Sequence, residues 1–101
     1  MQLAAWTWDP EKDRRNQQKH KLSFKTAVRA FDDPRHVTLD DPCGTEERWR
    51  TLGLIQGMLI IVVHTDPVME APVVLRGGRI ISARKATPSE RAIYDEFAYG
   101  H

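Results

Sequence analysis

Cationic and titratable side chains recur on segments that alternate as β-strands do. The segment 79–85 carries Arg79, Arg84 and Lys85, and His64 ends an earlier apolar segment. Arginine and lysine stabilise negative charge that develops on a phosphate, while histidine and glutamate accept and donate protons near neutral pH. Metal-free cleavage of RNA needs these groups: a base, an acid and cations. Many proteins carry them, so the residue types alone favour this chemistry only weakly.

Each of these side chains also has a purely structural explanation. Arginine and lysine often mark the solvent side of a sheet, and a histidine at a strand end, such as His64, is more often structural than catalytic. His20 follows Lys19 at the end of a predicted helix, where its cation would interact with the helix dipole. No nucleotide-binding glycine loop is present, since Gly77-Gly78 predicts a turn. Ser82 lies within a predicted strand rather than at a nucleophile elbow.

The composition predicts one small globular domain over residues 1–101. Hydrophobic residues make up 41% and charged residues 29%, which excludes a disordered chain or a collagen-like fibre. The longest apolar run, 58–63, is far shorter than the roughly 20 residues of a membrane span. We identify no secretory signal, and the lone Cys43 favours a reduced, cytoplasmic protein over a reactive thiol. One cysteine and four scattered histidines argue against structural zinc, and we expect neither metal nor cofactor.

Charge is nearly balanced overall but unevenly distributed. The formal net charge is +1, which does not by itself indicate a polyanion partner. Residues 9–25 hold six basic and three acidic side chains, and residues 76–85 hold four basic and no acidic ones. Residues 32–47 are acidic instead. A phosphate-rich ligand would be attracted to the two basic segments, although each alone is typical of a solvated surface.

Capping residues and apolar spacing predict three helices. Asp9 and Pro10 begin a helix that runs to Lys19 with almost no apolar side chain. Ser23 caps a second, amphipathic helix that ends at 32–34, and the capping box at 87–90 begins the third. The apolar stripe of the second helix comprises Phe24, Ala27, Val28 and Phe31. That of the third helix comprises Ile93, Tyr94, Phe97 and Ala98.

Alternation and turn residues predict the strands. Short strands are expected near 6–8 and 36–39, and a hairpin joins 46–55 to 58–65 through Gln56-Gly57. Two prolines within 66–72 predict a loop, 73–75 is a strand or a loop edge, and 79–85 is the last strand. Alternation places Arg48 beside Arg50 on one face. In the last strand it separates Ile80, Ser82 and Arg84 from Arg79, Ile81, Ala83 and Lys85. The element order β-α-α-β-β-β-α predicts an α+β domain with a mostly antiparallel sheet.

Motifs spread along nearly the whole chain occur together in a fixed order. They are Trp8-Asp9-Pro10, Lys12, Asn16, Lys19-His20, Ser23-Phe24, Ala27, Phe31-Asp32-Asp33-Pro34, Glu47-Arg48-Trp49, Gly53, Val62-Val63-His64-Thr65, the run from Arg79 to Thr87, Glu90-Arg91 and Tyr94. In this combination they resemble the BrnT family, the toxin halves of bacterial type II toxin–antitoxin modules. The first and last motifs together are highly specific.

The resemblance implies a fold, an activity and a partner. The fold would be similar to that of the RelE-type ribonuclease toxins, a small twisted antiparallel sheet with packed helices. The activity would be RNA cleavage that inhibits translation and arrests growth. The partner would be a BrnA-like antitoxin with a ribbon-helix-helix DNA-binding part. Two toxins would assemble with an antitoxin dimer, which would supply most contacts to the operator DNA.

The resemblance also suggests where the site residues lie. Candidates for catalysis are His20, Glu47 and His64 for proton transfer and Arg48 and Arg84 for charge stabilisation. Candidates for RNA binding are Lys19, Arg79 and Lys85. Arg84 could equally pair with an acid such as Asp33. Trp8, Asp9, Phe24, Phe31 and Trp49 are most simply core and cap residues.

The chain departs from the family pattern in two segments. The connection 66–78 is longer and richer in proline, and the usual Lys-His-Gly turn is Lys19-His20-Lys21. A second hypothesis is therefore a non-catalytic domain that serves as the antitoxin's partner and co-repressor. A third, a stand-alone RNA-binding module, needs an exposed aromatic platform. Trp6, Trp8 and Trp49 are candidates for it, but we expect them to be buried.

Overall fold

The computed structural model describes residues 6–41, 48–65, 68–70, 73–76 and 78–99. Its strands are β1 (Thr7–Trp8), β2 (Val37–Asp41), β3 (Arg48–Ile55), β4 (Met58–His64), β5 (Val68–Glu70), β6 (Val73–Arg76) and β7 (Arg79–Lys85). Its helices are α1 (Pro10–His20), α2 (Phe24–Ala27), a 3-10 helix (Val28–Asp32) and α3 (Pro88–Tyr99).

Five strands form one open sheet in the order β1-β7-β4-β3-β2. Neighbouring strands are antiparallel except β1 and β7, which are parallel. The predicted α+β class and the mostly antiparallel sheet are thus confirmed. The element order is confirmed in outline, although the chain has more strands than the predicted order contains.

The segment predicted as a proline-rich loop contains a strand. β5 pairs antiparallel with β6 in a separate two-stranded sheet, so the loop prediction for 66–72 was wrong over 68–70. Proline weakens a strand because it lacks the N–H of the ladder. Pro67 and Pro72, however, lie outside the strand bounds in the sequence, so neither interrupts the pairing.

The hairpin between β3 and β4 turns through Gln56 and Gly57, as predicted. Both residues have positive φ, 49° and 82° respectively, which is the backbone of the type I′ turn that suits the twist of two paired strands. Ile55 then pairs with Met58, and pairing continues to Trp49 and His64. This hairpin sets which residues of β3 and β4 share a face.

The first helix begins and ends on residues with specific backbone roles. The Asp9 carboxylate accepts a 2.9 Å hydrogen bond from the Glu11 N–H, and Pro10 occupies the first helical position. At the other end, Lys21 adopts the left-handed conformation with φ 58°, and its N–H donates to the Gln17 carbonyl. Glycine is preferred at such a position because it lacks a Cβ. Lys21 therefore carries local strain.

The second predicted helix divides into α2 and a 3-10 helix. The Ser23 hydroxyl caps α2 by accepting a 3.1 Å hydrogen bond from the Thr26 N–H. The 3-10 helix then passes directly over β3: a Cβ on Gly53 would lie 2.2 Å from the Ala30 carbonyl oxygen. Gly53 is required for this close approach.

A β-bulge in the pairing of β4 with β7 changes the alternation predicted for the last strand. Val63 pairs with Ser82 and His64 with Ile80, so one residue of β7 is extra. As a result, Ile80 and Ala83 enter the same hydrophobic cluster. The strict alternation predicted over 79–85 was therefore wrong before Ser82.

Two hydrophobic clusters lie on opposite faces of the sheet. On the first face, α2 and the 3-10 helix bury Phe24, Ala27 and Ala30. On the second face, α3 covers Leu52 and Ile61 with Tyr94, which is 1% exposed. Burying each large apolar side chain contributes roughly 1.5–3 kcal/mol. We call these two surfaces the α2 face and the α3 face.

The apolar stripe predicted for α3 is wider than its contact with the sheet. Ile93, Tyr94 and Ala98 pack against the second cluster, whereas Phe97 is 62% exposed. The prediction that Phe97 faces the core was wrong because the row that contains Tyr94 and Ala98 is turned toward the sheet, leaving Phe97 at the margin.

Candidate functional site

Strand register brings three arginines to the α3 face. Leu52 of β3 pairs with Ile61 of β4, and Ile61 pairs with Arg84 of β7, so these side chains share a face. Arg48 and Arg50 lie four and two residues before Leu52, respectively, and share that face by alternation. The sequence-predicted residues Arg48 and Arg84 are thus placed on one surface, although two strands apart.

Arg84 is held in a fixed orientation by Glu90 at the start of α3. Its two terminal nitrogens donate to the two carboxylate oxygens at 2.8 and 2.9 Å, the forked geometry that makes arginine–carboxylate pairs strong. The hydrogen bonds to Glu90 raise the pKa of Arg84, and those from Arg84 lower the pKa of Glu90 against the opposing effect of burial. The Arg84 side chain nonetheless remains 40% exposed. It can therefore present a cation to a ligand without moving.

Glu90 also completes the predicted capping box of α3. Its carboxylate accepts a 2.8 Å hydrogen bond from the Thr87 N–H, and the Glu90 N–H donates to the Thr87 hydroxyl at 3.2 Å. One carboxylate therefore both starts the helix and orients Arg84. The sequence predicted the cap but not the pairing, because Glu90 follows Arg84 by six residues across a change from strand to helix.

Asp33, the acid suggested for Arg84, binds other groups. Its carboxylate accepts hydrogen bonds from the Tyr94 hydroxyl at 2.6 Å and from the Leu54 and Arg35 N–H groups, each at 2.9 Å. Burial raises the pKa of Asp33, but these hydrogen bonds outweigh it, so the pKa lies below the ordinary value of 3.8. Asp33 is a structural anion, and the suggested Arg84–Asp33 pair is replaced by Arg84–Glu90.

His64 lies inside the fold on the α2 face, only 2% exposed. Its Nδ1–H donates to the Thr65 carbonyl at 2.8 Å, and its Nε2 lies 2.7 Å from the Thr51 hydroxyl. The rings of Trp6 and Phe31 each approach its ring edge-on at 5.1 Å. His64 therefore fills a polar position in an aromatic core, on the opposite face from Arg84.

The other predicted site residues are dispersed. Lys19 is exposed and His20 half-buried at the C-terminal end of α1. Lys85 is exposed at the end of β7 and pairs with Ile60, whose side chain belongs to the α2 face. Arg79 is exposed at the start of β7, where its N–H donates to the Thr65 hydroxyl at 2.7 Å. Glu47 lies outside the described residues.

Arg50 was missed as a site candidate. Its Nε and Nη2 donate to the Asp40 carbonyl at 3.2 and 2.9 Å, which orients the guanidinium at the β2 side of the sheet. The signal was present, because Arg48 and Arg50 are two residues apart on a predicted strand. The Arg48 Nε and the Trp49 Nε1 are buried without a hydrogen-bond partner among the residues described.

The layer formed by α1, α2 and the 3-10 helix is strongly cationic. Its exposed cations are Lys12, Arg14, Arg15, Lys19, Lys21, Lys25 and Arg29. Two of the nearby acids are engaged: Glu11 pairs with Arg14 and with Arg15, and Asp13 accepts a 2.9 Å hydrogen bond from the Phe24 N–H. The layer therefore presents excess positive charge to solvent and would attract a polyanion.

The aromatic residues considered for base stacking are occupied within the protein. Trp6 stacks on Phe31 with ring centroids 4.3 Å apart, and Trp8 contacts Phe24 edge-on at 6.2 Å. Trp49 is half-buried. These contacts weaken the hypothesis of a stand-alone RNA-binding module.

The residues that the structure describes lack two features that would indicate other functions. They contain no group of three or more histidine, cysteine, aspartate and glutamate side chains arranged to hold a metal ion. None of the helices they form combines the length and the apolar character required to cross a membrane.

An α+β fold with arginines on one sheet face and a cationic helical layer fits the class of small proteins that bind a phosphate backbone. Comparison with known families identifies the group within that class. Residues 8–90 match the family described as the ribonuclease toxin, BrnT, of a type II toxin–antitoxin system, and the chain belongs to this family. A comparison with curated proteins found no match.

Proposed function

We propose that this protein is a metal-independent endoribonuclease toxin that inhibits translation and growth in the cytoplasm. The observation that carries the proposal is the family match over residues 8–90. The half-buried arginines on the α3 face support it, because a phosphate in an RNA chain requires cations as its negative charge increases during cleavage.

In the proposed reaction, a base removes the proton from a ribose 2′-hydroxyl, and the oxygen attacks the adjacent phosphorus. Arg84, oriented by Glu90, and Arg48 stabilise the charged phosphorane, and we add Arg50 to this group. An acid then protonates the departing 5′-oxygen. The candidates for proton transfer are Glu47, adjacent to Arg48 in the chain, and His20.

The remaining predicted residues have different roles in this proposal. Arg79, Lys85 and Lys19 bind flanking phosphates of the RNA. His64 is a positioning residue, because both of its ring nitrogens are engaged inside the core. Proton transfer by His64 would require those hydrogen bonds to open.

The decisive experiment measures cleavage of naked RNA by the purified protein in EDTA. We expect cleavage by the wild type and a loss of about 10²–10³-fold in kcat for Arg84→Ala. Arg84→Lys should restore part of the rate, since lysine keeps the charge but loses the fork. Arg35→Ala, which removes an exposed charge outside the proposed site and the cationic helical layer, is the matched control. Cleavage that requires added metal would disprove the metal-independent mechanism.

We further propose that a BrnA-like ribbon-helix-helix antitoxin neutralises the protein in a complex of two toxins and two antitoxins. This complex would bind operator DNA through the antitoxin. Light scattering of the co-purified complex tests the stoichiometry. A gel-shift assay with antitoxin alone and with the complex tests where the DNA contacts lie.

A second candidate is a non-catalytic partner and co-repressor domain. The observation that favours it is the separation of Arg84 from His64, which lies on the other face of the sheet. This candidate predicts tight antitoxin binding without RNA turnover. Cleavage assays in a translating extract would distinguish it from an enzyme that requires the ribosome.

A further inference from the structure

A groove lies where the β3–β4 hairpin turn meets the start of α3. It encloses about 430 Å³ and is lined by Gln56, Gly57, Met58, Leu59 and Ala86, with Lys85 and Arg91 as its cations. The Ala86 N–H donates to the Leu59 carbonyl at 2.9 Å, which fixes the backbone at its base. The volume lies within the range of small-molecule sites, roughly 300–1,000 Å³.

The positive charge of this groove is not neutralised. No acidic side chain lines it, and Lys85 and Arg91 form no ion pair among the residues described. The neighbouring acid, Glu90, is occupied by Arg84 and by the Thr87 N–H. Two uncompensated cations that line one groove are suited to a phosphate.

The groove also offers an apolar surface beside these cations. Met58 is the first residue of β4, directly after the turn, and is 44% exposed, whereas most of the other apolar residues of β4 are buried. A thioether side chain is flexible and polarisable and packs well on aromatic rings. Phosphate-binding cations next to an apolar side chain match the two parts of a nucleotide.

We infer that this groove is a nucleotide subsite, in which Lys85 and Arg91 bind an RNA phosphate and Met58 packs against the attached base. The inference rests on the proposed ribonuclease function and extends it with Arg91 and Met58. Arg84 and Lys85 are consecutive in β7, and the Arg84 Nη1 donates to the Lys85 carbonyl at 3.2 Å. The Lys85 side chain points to the opposite face of β7 from Arg84, but Arg91 directly follows Glu90, the partner of Arg84. The subsite would therefore hold a nucleotide at the same end of α3 as the Arg84–Glu90 pair.

The test is binding of a fluorescein-labelled 2′-O-methyl oligonucleotide, which lacks the nucleophilic hydroxyl and is not cleaved. Fluorescence anisotropy should show about five- to tenfold weaker binding for Lys85→Ala and for Arg91→Ala. Arg35→Ala, an equal loss of charge at an exposed site outside both the groove and the cationic helical layer, should change Kd less than about twofold. The slope of log K against log salt should fall by about 0.7 for each lost contact to a single strand.

The contact between Met58 and the base is tested by comparing an oligonucleotide that carries the base with one that lacks it. Met58→Ser should weaken binding of the oligonucleotide about threefold and leave binding of an abasic oligonucleotide unchanged. The inference is overturned if Lys85→Ala or Arg91→Ala binds no more weakly than Arg35→Ala. It is also overturned if Met58→Ser has no effect, or an equal effect on both oligonucleotides.

Cleavage of unmodified RNA distinguishes this inference from the proposed function. Arg91→Ala should raise KM and leave kcat unchanged, because the subsite binds a nucleotide that does not react. If the wild type cleaves no RNA but probe binding depends on Lys85 and Arg91, the enzymatic proposal fails and the subsite is retained. If RNA is cleaved and Arg91→Ala leaves KM and probe binding unchanged, the subsite alone is rejected.

Discussion

The Tyr94 hydroxyl donates a 2.6 Å hydrogen bond to the carboxylate of Asp33, 61 residues earlier in the chain. Tyr94 is a buried residue of α3, and Asp33 directly follows the 3-10 helix. The same carboxylate accepts the Leu54 N–H of β3. One anion thus ties α3, the 3-10 helix and the end of β3 together.

Replacing Tyr94 with phenylalanine should destabilise the protein while keeping the ring in place. The buried contact to an ionised acceptor contributes about 1–3 kcal/mol, which urea denaturation at pH 7 would measure. An unchanged unfolding midpoint would show that the hydrogen bond contributes nothing net.

The lowered pKa of Asp33 predicts acid sensitivity. A carboxyl with a lower pKa in the folded than in the unfolded state stabilises the fold above its unfolded pKa, and that contribution is lost as pH falls through the folded value. Stability should therefore decline as pH drops below about 3.8. The free energy of unfolding of Asp33→Asn should decline less than that of the wild type over that interval. Asp95→Asn, on the exposed side of α3, should show the same decline as the wild type.

Replacing Glu90 with glutamine should separate the orientation of Arg84 from its charge. The amide cannot accept both guanidinium hydrogen bonds, so Arg84 becomes mobile and keeps its charge. We expect kcat for RNA cleavage to fall about tenfold with KM little changed, and Glu90→Asp to recover less than half of the loss because it is shorter. Equal kcat in Glu90→Gln and the wild type would argue against a positioning role.

His64→Ala should lower the free energy of unfolding by about 2–4 kcal/mol, because it leaves a cavity between Trp6 and Phe31 and removes one of the two hydroxyl partners of Thr51, leaving Thr38. Thermal melting would measure this loss of stability, with Lys25→Ala as the control. Below the melting temperature, kcat of the folded variant should remain within about tenfold of wild type. A loss of 10²-fold or more in a folded variant would instead indicate proton transfer by His64.

Two glycines should respond to alanine for different reasons. Gly53→Ala forces a Cβ into the Ala30 carbonyl and should lower the free energy of unfolding by about 3 kcal/mol or more. Gly57→Ala meets no atom within 4 Å but must keep φ at 82°, which costs about 1 kcal/mol. Similar losses at the two positions, measured by urea denaturation, would contradict the close approach at Gly53.

The elements themselves were predictable because their signals are local. Asp9, Ser23 and the Thr87–Glu90 box each cap a helix within three residues. Gln56-Gly57 turns the hairpin at the predicted position. The spacing of Phe24, Ala27 and Tyr94 likewise identified the buried side of two helices. Motif order along the chain was enough to indicate the family that the comparison shows.

Only the tertiary structure decided which of these residues meet. One extra residue in β7 places Ile80 in the same hydrophobic cluster as Ala83, although strict alternation would put them on opposite faces. Several acids could have paired with Arg84, and the packing of α3 selected Glu90 while Tyr94 took Asp33. His64 and Arg84 were separated by the sheet because neighbouring strands set their faces through register. Such pairings depend on contacts between distant segments, for which a single sequence carries no local signal.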